Sequence, residues 1–131
     1  MQTMIKVRGY HLDVYQHVNN ARYLEFLEEA RWAWLEKLAF FQWMTDRQLA
    51  FVVVNININY RRPARLGDLL QIDSQLLQLG EKSGVMGQTV TLAPGGEAVA
   101  DATLTFVCLD LRTQKAQPMT EELTQRMMPS A

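Results

Sequence analysis

An α+β fold is predicted for this chain of 131 residues by three observations. A long stretch from Asn20 to Leu38 carries apolar residues at helical spacing. A run from Phe51 to Arg61 alternates with period two. Further strand-like runs follow, separated by glycine- and proline-bearing turns rather than by helices. A strand, a long helix and then successive antiparallel strands place one helix against one sheet, within a single domain spanning residues 1–131.

The elements follow in order. Ile5 to Tyr10 reads as a first strand, with Ile5 and Val7 alternating against Lys6 and Arg8. In the helix, Tyr23, Leu24, Leu27, Ala30, Trp34, Leu35 and Leu38 recur at three- and four-residue spacing, while Arg22, Glu25, Glu29 and Glu36 take other faces. Phe26 and Trp32 widen the apolar surface, which implies a helix buried on most sides and a sheet that curls around it. Trp43 to Leu49 can form a short second helix. In the second strand Val52, Val54, Ile56, Ile58 and Tyr60 are expected on one face, with Val53, Asn55, Asn57 and Asn59 on the other. Pro63 ends it, having no N–H to give the ladder. Leu69–Leu79, Val85–Leu92 and Ala98–Asp110 are the next three strands, making about five in all. Thr113–Lys115 reads as a turn and Thr120–Met128 as a short final helix.

Composition narrows the function classes. Thirteen basic residues face fourteen acidic ones, for a net charge of −1, and no basic block stands out. Nucleic acid is therefore not an expected partner. No apolar stretch approaches the ~20 residues of a membrane span, and Met1–Lys6 has no signal-peptide character. Cys108 is alone, which excludes an intrachain disulfide and fits a reducing, cytoplasmic setting. It lies within the apolar run Leu104–Leu109, where a free cysteine acts as a small hydrophobe.

The chemistry concentrates at the start of the long helix, in Asp13-Val14-Tyr15-Gln16-His17-Val18-Asn19-Asn20-Ala21-Arg22-Tyr23. A carboxylate, an imidazole, two carboxamides and a phenol fall within eleven residues there. First-turn backbone N–H groups have no intrahelical partner and point forward, so a polarised carbonyl held in front of them meets donors on one side and Asp13 on the other. Asn19 or Asn20 also suits a helix N-cap, but a cap needs only one such residue. Machinery of the Ser/His/Asp kind has no sequence support: there is no Gly-x-Ser-x-Gly elbow. His11 and His17 lack metal-ligand spacing, so neither a metal nor a cofactor is expected.

The pattern Asp13-x-x-x-His17-Val18-Asn19-Asn20-x-x-Tyr23, followed by Glu28-Glu29-Ala30-Arg31, resembles the signature of hot-dog-fold acyl-CoA thioesterases of the 4-hydroxybenzoyl-CoA thioesterase type. With Gln16 ahead of the histidine and the strand Phe51–Pro63, it is similar more narrowly to the FadM-type long-chain acyl-CoA thioesterases. The resemblance runs from about Ile5 to Lys115. It departs from the wider family at His11, where many members carry an acidic residue, and at Gln16, where glycine is common. It implies a central helix wrapped by a curved sheet, a homo-oligomer (dimer or tetramer), and hydrolysis of fatty acyl-CoA to acid and coenzyme A. Asp13 is then the catalytic residue, activating water or attacking the thioester itself, and the sequence leaves both open. His17, Asn19, Asn20 and Tyr23 are the residues expected to shape the site and orient substrate.

Arg61, Arg62, Arg65 and Lys82 are the candidate contacts for the coenzyme A phosphates, which arginine clamps bidentately. Trp32, Trp34, Phe40, Phe41, Trp43 and Met44 offer walls for an acyl chain. Glu28 or Glu29 can pair with Arg31 or face the site. The carboxamides of Asn55, Asn57 and Asn59 fit a subunit contact. A non-catalytic acyl-thioester or fatty-acid carrier is the alternative from another class, and a hot-dog dehydratase a weaker one. Fold alone does not separate them.

Overall fold

A computed structural model describes residues 1–128. The strands are β1 (Gln2–Lys6), β2 (Leu49–Tyr60), β3 (Leu69–Leu79), β4 (Ser83–Ala93), β5 (Ala98–Asp110) and β6 (Lys115–Gln117). The helices are α1 (Asn20–Lys37), α2 (Phe40–Asp46) and α3 (Glu121–Met127), with one 3-10 turn at Gly9–His11. The sheet is antiparallel in the order β1-β3-β4-β5-β2, and β6 adds a short pairing to the far end of β5. Five long or moderate strands are thus joined by a three-residue sixth, whose first residue, Lys115, is the last residue of the expected turn.

The sheet lays α1 across one face. Tyr23, Phe26, Leu27 and Ala30 are its buried residues, at the three- and four-residue spacing of one helical stripe. They pack with Val7, Leu70, Ile72, Val90 and Val99 in one part of the core. A second part gathers Phe40, Met44, Met86, Leu104, Phe106 and Leu123 under α2 and α3. The helix is less enclosed than its composition implies: Leu24 and Trp32 are 40% and 41% exposed. A single sheet covers one side of a helix and leaves the other side open.

Three strands differ from the sequence reading, β4 only in running from Ser83 to Ala93. The first begins earlier and stops at Lys6, because Gly9–His11 coil into the 3-10 turn that leads to the Asp13 loop. In β2 the alternation breaks at Val54. Val53 pairs with Phe106 and Asn55 with the adjacent Thr105, so Val54 is the extra residue of a β-bulge. The bulge flips the faces. Phe51 and Val53 join Ile56 and Ile58 in packing against the core, while Val52 and Val54 turn out to solvent at 38% and 58% exposure. A strict period of two cannot show an inserted residue when the run on both sides is β-branched.

β2 is also an edge. Among the described residues its 12 residues pair only with β5, and the stretch contains neither proline nor a charge. Long edges of this kind offer a row of unpaired backbone groups to a second chain.

Candidate active site

The segment before α1 is a tight, multiply pinned loop. Leu12 and Val18 form an isolated antiparallel bridge that closes it. The Asp13 N–H donates to the His17 carbonyl at 2.9 Å, and the Gln16 N–H donates to the Asp13 carbonyl at 3.0 Å. At the base, the Asn19 N–H donates to the His11 carbonyl and the Val18 N–H to the Ala64 carbonyl, both at 2.9 Å. The Asp13 carboxylate accepts the Tyr15 N–H on Oδ1 at 2.9 Å, an Asx turn, and among the described residues its Oδ2 has no such partner. The loop therefore holds one oxygen of a half-buried carboxylate and presents the other.

Asn19 is the N-cap: its Oδ1 accepts the Ala21 N–H at 2.9 Å, and its carbonyl accepts the Arg22 N–H at 2.8 Å. Two of the first-turn donors are thereby occupied, and among the described residues the Asn20 N–H has no hydrogen-bond partner. The Asn20 carbonyl accepts from the Tyr60 hydroxyl at 3.0 Å. Tyr23 is buried against the rings of Phe26 and Tyr60 at 5.9 and 5.5 Å, and burial raises its phenol above the ordinary pKa. His17 gives its carbonyl to the loop, and among the described residues its imidazole makes no hydrogen bond. The structure thus brings Asp13, His17, Asn19, Asn20 and Tyr23 together around one loop and helix start.

The basic residues divide. Arg61, Arg62 and Arg65 follow the end of β2, on the side of the molecule that holds the Asp13 loop. Arg61 is engaged already: its Nε meets Asp101 Oδ2 at 2.8 Å, and that guanidinium, with Asn59, holds the Asp101 carboxyl below the usual range. The Arg65 backbone N–H caps Asp68 at 2.8 Å, leaving its side chain outside that bond. Lys82 does not join them. It sits in the β3–β4 turn, next to Ser83, which pairs with Val107, whereas Tyr60 pairs with Ala100. Seven residues of β5 separate those positions, about 23 Å of strand. Within one protomer Lys82 cannot share a phosphate with the arginines.

An apolar cavity of about 440 Å³ opens between α1, α2 and the first half of β2. Trp32, Trp34, Phe41 and Met44 line it, as four of the six proposed acyl-chain residues, and Phe51 and Phe106 complete its walls. Phe40 and Trp43 are core instead, stacked on each other at 5.5 Å. A Cβ on Gly84 would overlap the Phe106 ring, so the glycine makes room for that wall. Asp13 does not line this cavity. It lies at the Tyr60 end of β2, and the cavity at the Phe51 end. Glu28 and Arg31 border the cavity, yet neither Glu28 nor Glu29 forms an ion pair with Arg31.

Among the described residues, no group of three or more His, Cys, Asp or Glu side chains is gathered to hold a metal, and no helix is long and apolar enough to cross a membrane. Cys108 is buried, and desolvation pushes its thiol above the ordinary pKa, so it is not a poised nucleophile.

Residues 7–127 match the family model described as the thioesterase-like superfamily. The chain belongs to that superfamily. Its fold is the hot-dog fold. It is similar to the long-chain acyl-CoA thioesterase FadM of Escherichia coli (strain K12), with 68% identity over 127 residues, 97% of this chain and 96% of that one. The acyl-CoA thioesterase YbgC of Haemophilus influenzae is 34% identical over 81% of this chain and 78% of its own. Among solved structures, the probable thioesterase YbaW from Escherichia coli superposes with a TM-score of 0.92 at 68% identity, covering 97% and 96% of the two chains. Slr0204, a 1,4-dihydroxy-2-naphthoyl-CoA thioesterase from Synechocystis, superposes with a TM-score of 0.87 over 98% and 95%, and at 19% identity this likeness speaks to the fold alone.

Both departures from the wider thioesterase pattern have a structural account. Gln16 has φ of 64°, the left-handed region that glycine occupies without cost and other residues at roughly 1–2 kcal/mol. His11 is buried at the base of the loop, where its Nδ1 accepts the Arg8 N–H at 2.8 Å and its ring meets Tyr10 and Phe26 edge-on. Burial, with Arg22 adding to it, lowers its pKa and keeps it neutral as an acceptor. This role was invisible in the sequence, where His11 stood out only as a departure.

Proposed function

We propose that this protein hydrolyses long-chain fatty acyl-CoA thioesters, with Asp13 as the catalytic carboxylate. The observation that carries the reading is the Asp13 loop: a carboxylate with one oxygen anchored and one presented, beside the capped start of α1. The 68% identity to a long-chain acyl-CoA thioesterase over 97% of the chain supports the substrate class. Either Oδ2 removes a proton from water as it attacks the thioester carbon, or it attacks that carbon and forms an anhydride that water then opens. In both routes the carbonyl oxygen gains charge, and in this reading the Asn20 N–H at the positive end of α1 stabilises it.

The separation of Asp13 from the apolar cavity bears on assembly. An antiparallel partner strand laid along the β2 edge reverses direction, so the Tyr60 end of one copy meets the Phe51 end of the other. The Asp13 loop of one protomer then faces the cavity of its partner. The working unit is accordingly a homodimer or a larger assembly built from it, with each site shared between two copies.

The experiment is release of coenzyme A thiol from a series of acyl-CoA chain lengths. Turnover rising toward long chains is expected. Tight binding without thiol release at any length would replace this reading with a carrier of acyl thioesters or fatty acids.

A further inference from the structure

Arg31 occupies an unusual position for a cation. It is half-buried on α1 and borders the apolar cavity, and among the described residues its one side-chain hydrogen bond is to Gln88 Oε1 at 3.2 Å. Gln88 is 1% exposed, and its amide cannot be turned around. Its Nε2 donates to the Leu27 carbonyl at 3.0 Å and to Ser74 Oγ at 2.9 Å, and a backbone carbonyl can only accept. Oε1 is thereby fixed toward α1 and takes one of the five guanidinium N–H groups. Among the described residues no carboxylate lies within ion-pair reach of Arg31. Burial lowers its pKa, and Glu28, which also borders the cavity, opposes that only at a distance. A half-desolvated, pre-oriented guanidinium with free donors calls for an anion, since an unpaired charge out of water is costly. The neighbouring walls of Trp34, Leu35, Met44, Phe51 and Phe106 call for an alkyl chain.

We propose that Arg31 and this cavity form a binding site for a free fatty acid, with the carboxylate on the guanidinium and the chain among the apolar walls. Such an acid is the product of the reaction proposed above. The choice of ligand rests on that reading, and the consequence is product inhibition by free fatty acid. Arg31 is the recognition group for the carboxylate, and Gln88 is the positioning residue that aims it.

Binding is read without turnover, from the fluorescence of Trp32 and Trp34 in the cavity wall, with laurate and 1-dodecanol as probes. The two share an alkyl chain and differ in charge. Wild-type protein is expected to prefer laurate by about tenfold or more, the scale of one charge-assisted bond. Arg31→Gln should remove that preference while leaving dodecanol binding and thermal stability near wild type. Arg31→Lys, which keeps the charge but not the planar fork, should keep part of the preference. Equal binding of the two probes by the wild type overturns the proposal. So does a laurate preference that survives in Arg31→Gln, which would assign the carboxylate to another cation. Loss of thiol release with every acyl-CoA counts against the proposed hydrolysis and leaves this binding readout standing.

Discussion

The hydroxyl of Tyr60 donates to the carbonyl of Asn20 at 3.0 Å, tying the last residue of β2 to the first residue of α1. The rings of Tyr60 and Tyr23 lie 5.5 Å apart behind this bond. The link matters because α1 starts beside the Asp13 loop, so the edge strand and the candidate site share one anchor. Tyr60→Phe keeps the ring contact and deletes only the donor. Tyr60 is 47% exposed, so the loss should fall at the lower end for a hydrogen bond, about 0.5–1 kcal/mol. Urea denaturation measures it. A variant as stable as wild type would mean that water replaces the tyrosine at no net cost.

Asp13→Asn should cost at least about a hundredfold in kcat, the lower end for removing a general base. The loop should survive, because asparagine keeps an Oδ1 to accept the Tyr15 N–H that Asp13 now holds at 2.9 Å. Circular dichroism and laurate binding provide the check that only chemistry was lost. A variant that retains most of its turnover removes Asp13 from the mechanism.

What the sequence made legible follows its strongest periodicities. The limits of β3 and β5 and the span of α1 can be read from period and turn residues, because local propensity and burial agree there. The Val54 bulge could not, since valine suits either face. Neither could the Arg31–Gln88 pair, whose members lie 57 residues apart and meet only through sheet packing. The distance of Lys82 from Arg61, Arg62 and Arg65 within one chain was hidden for the same reason: strand direction, which composition does not encode, puts them at opposite ends of the sheet. Within the site, the cluster was visible as a run of chemistry-bearing residues. The division of labour inside it, with Asn19 capping and His11 bracing, needed the hydrogen bonds.

His11 gives the fold a pH dependence of definite sign. Its folded pKa is lowered from 6.5, chiefly by burial, so below about that pH the unfolded chain binds a proton the folded one resists. Stability from this group is therefore full above pH 6.5 and declines as the pH falls toward the lowered folded value. His11→Asn supplies an Oδ1 to accept the Arg8 N–H without a titrating ring. Denaturation midpoints measured between about pH 7.5 and 5.5 should fall less steeply in that variant. Parallel slopes for the two proteins would mean that other groups carry the whole dependence.

Arg62→Ala and Arg65→Ala should raise KM for acyl-CoA and leave kcat nearly unchanged, if these exposed side chains hold the coenzyme phosphates. The nucleotide is remote from the thioester carbon, so its contacts are equal in ground and transition states. Exposure limits each effect to a few-fold, up to about tenfold, and added salt should shrink it. Arg61→Ala is a less clean probe because it also releases Asp101. A thioester trimmed to pantetheine carries no phosphates and should show no change. Equal losses on both substrates would make these arginines structural and turn attention to Lys82 of a second copy.

The shared site makes the most exacting prediction. Sedimentation should find a dimer or larger assembly at micromolar concentration, because β2 leaves 12 residues of uncharged edge unpaired. Two inactive variants then become informative together. Asp13→Asn lacks the carboxylate but keeps its cavity, while Leu35→Trp keeps the carboxylate and overfills the cavity wall. If each site takes Asp13 from one copy and the cavity from the other, a mixed dimer holds one site with both defects and one with neither. Coexpressed variants should therefore recover activity that neither has alone, toward one intact site per mixed dimer. If Asp13 instead serves the cavity of its own chain, every site in the mixture keeps one defect. Mixtures that remain as inactive as their parents, with mixed dimers verified by differential tags, would sink the shared site and require the loop and cavity to meet within one protomer.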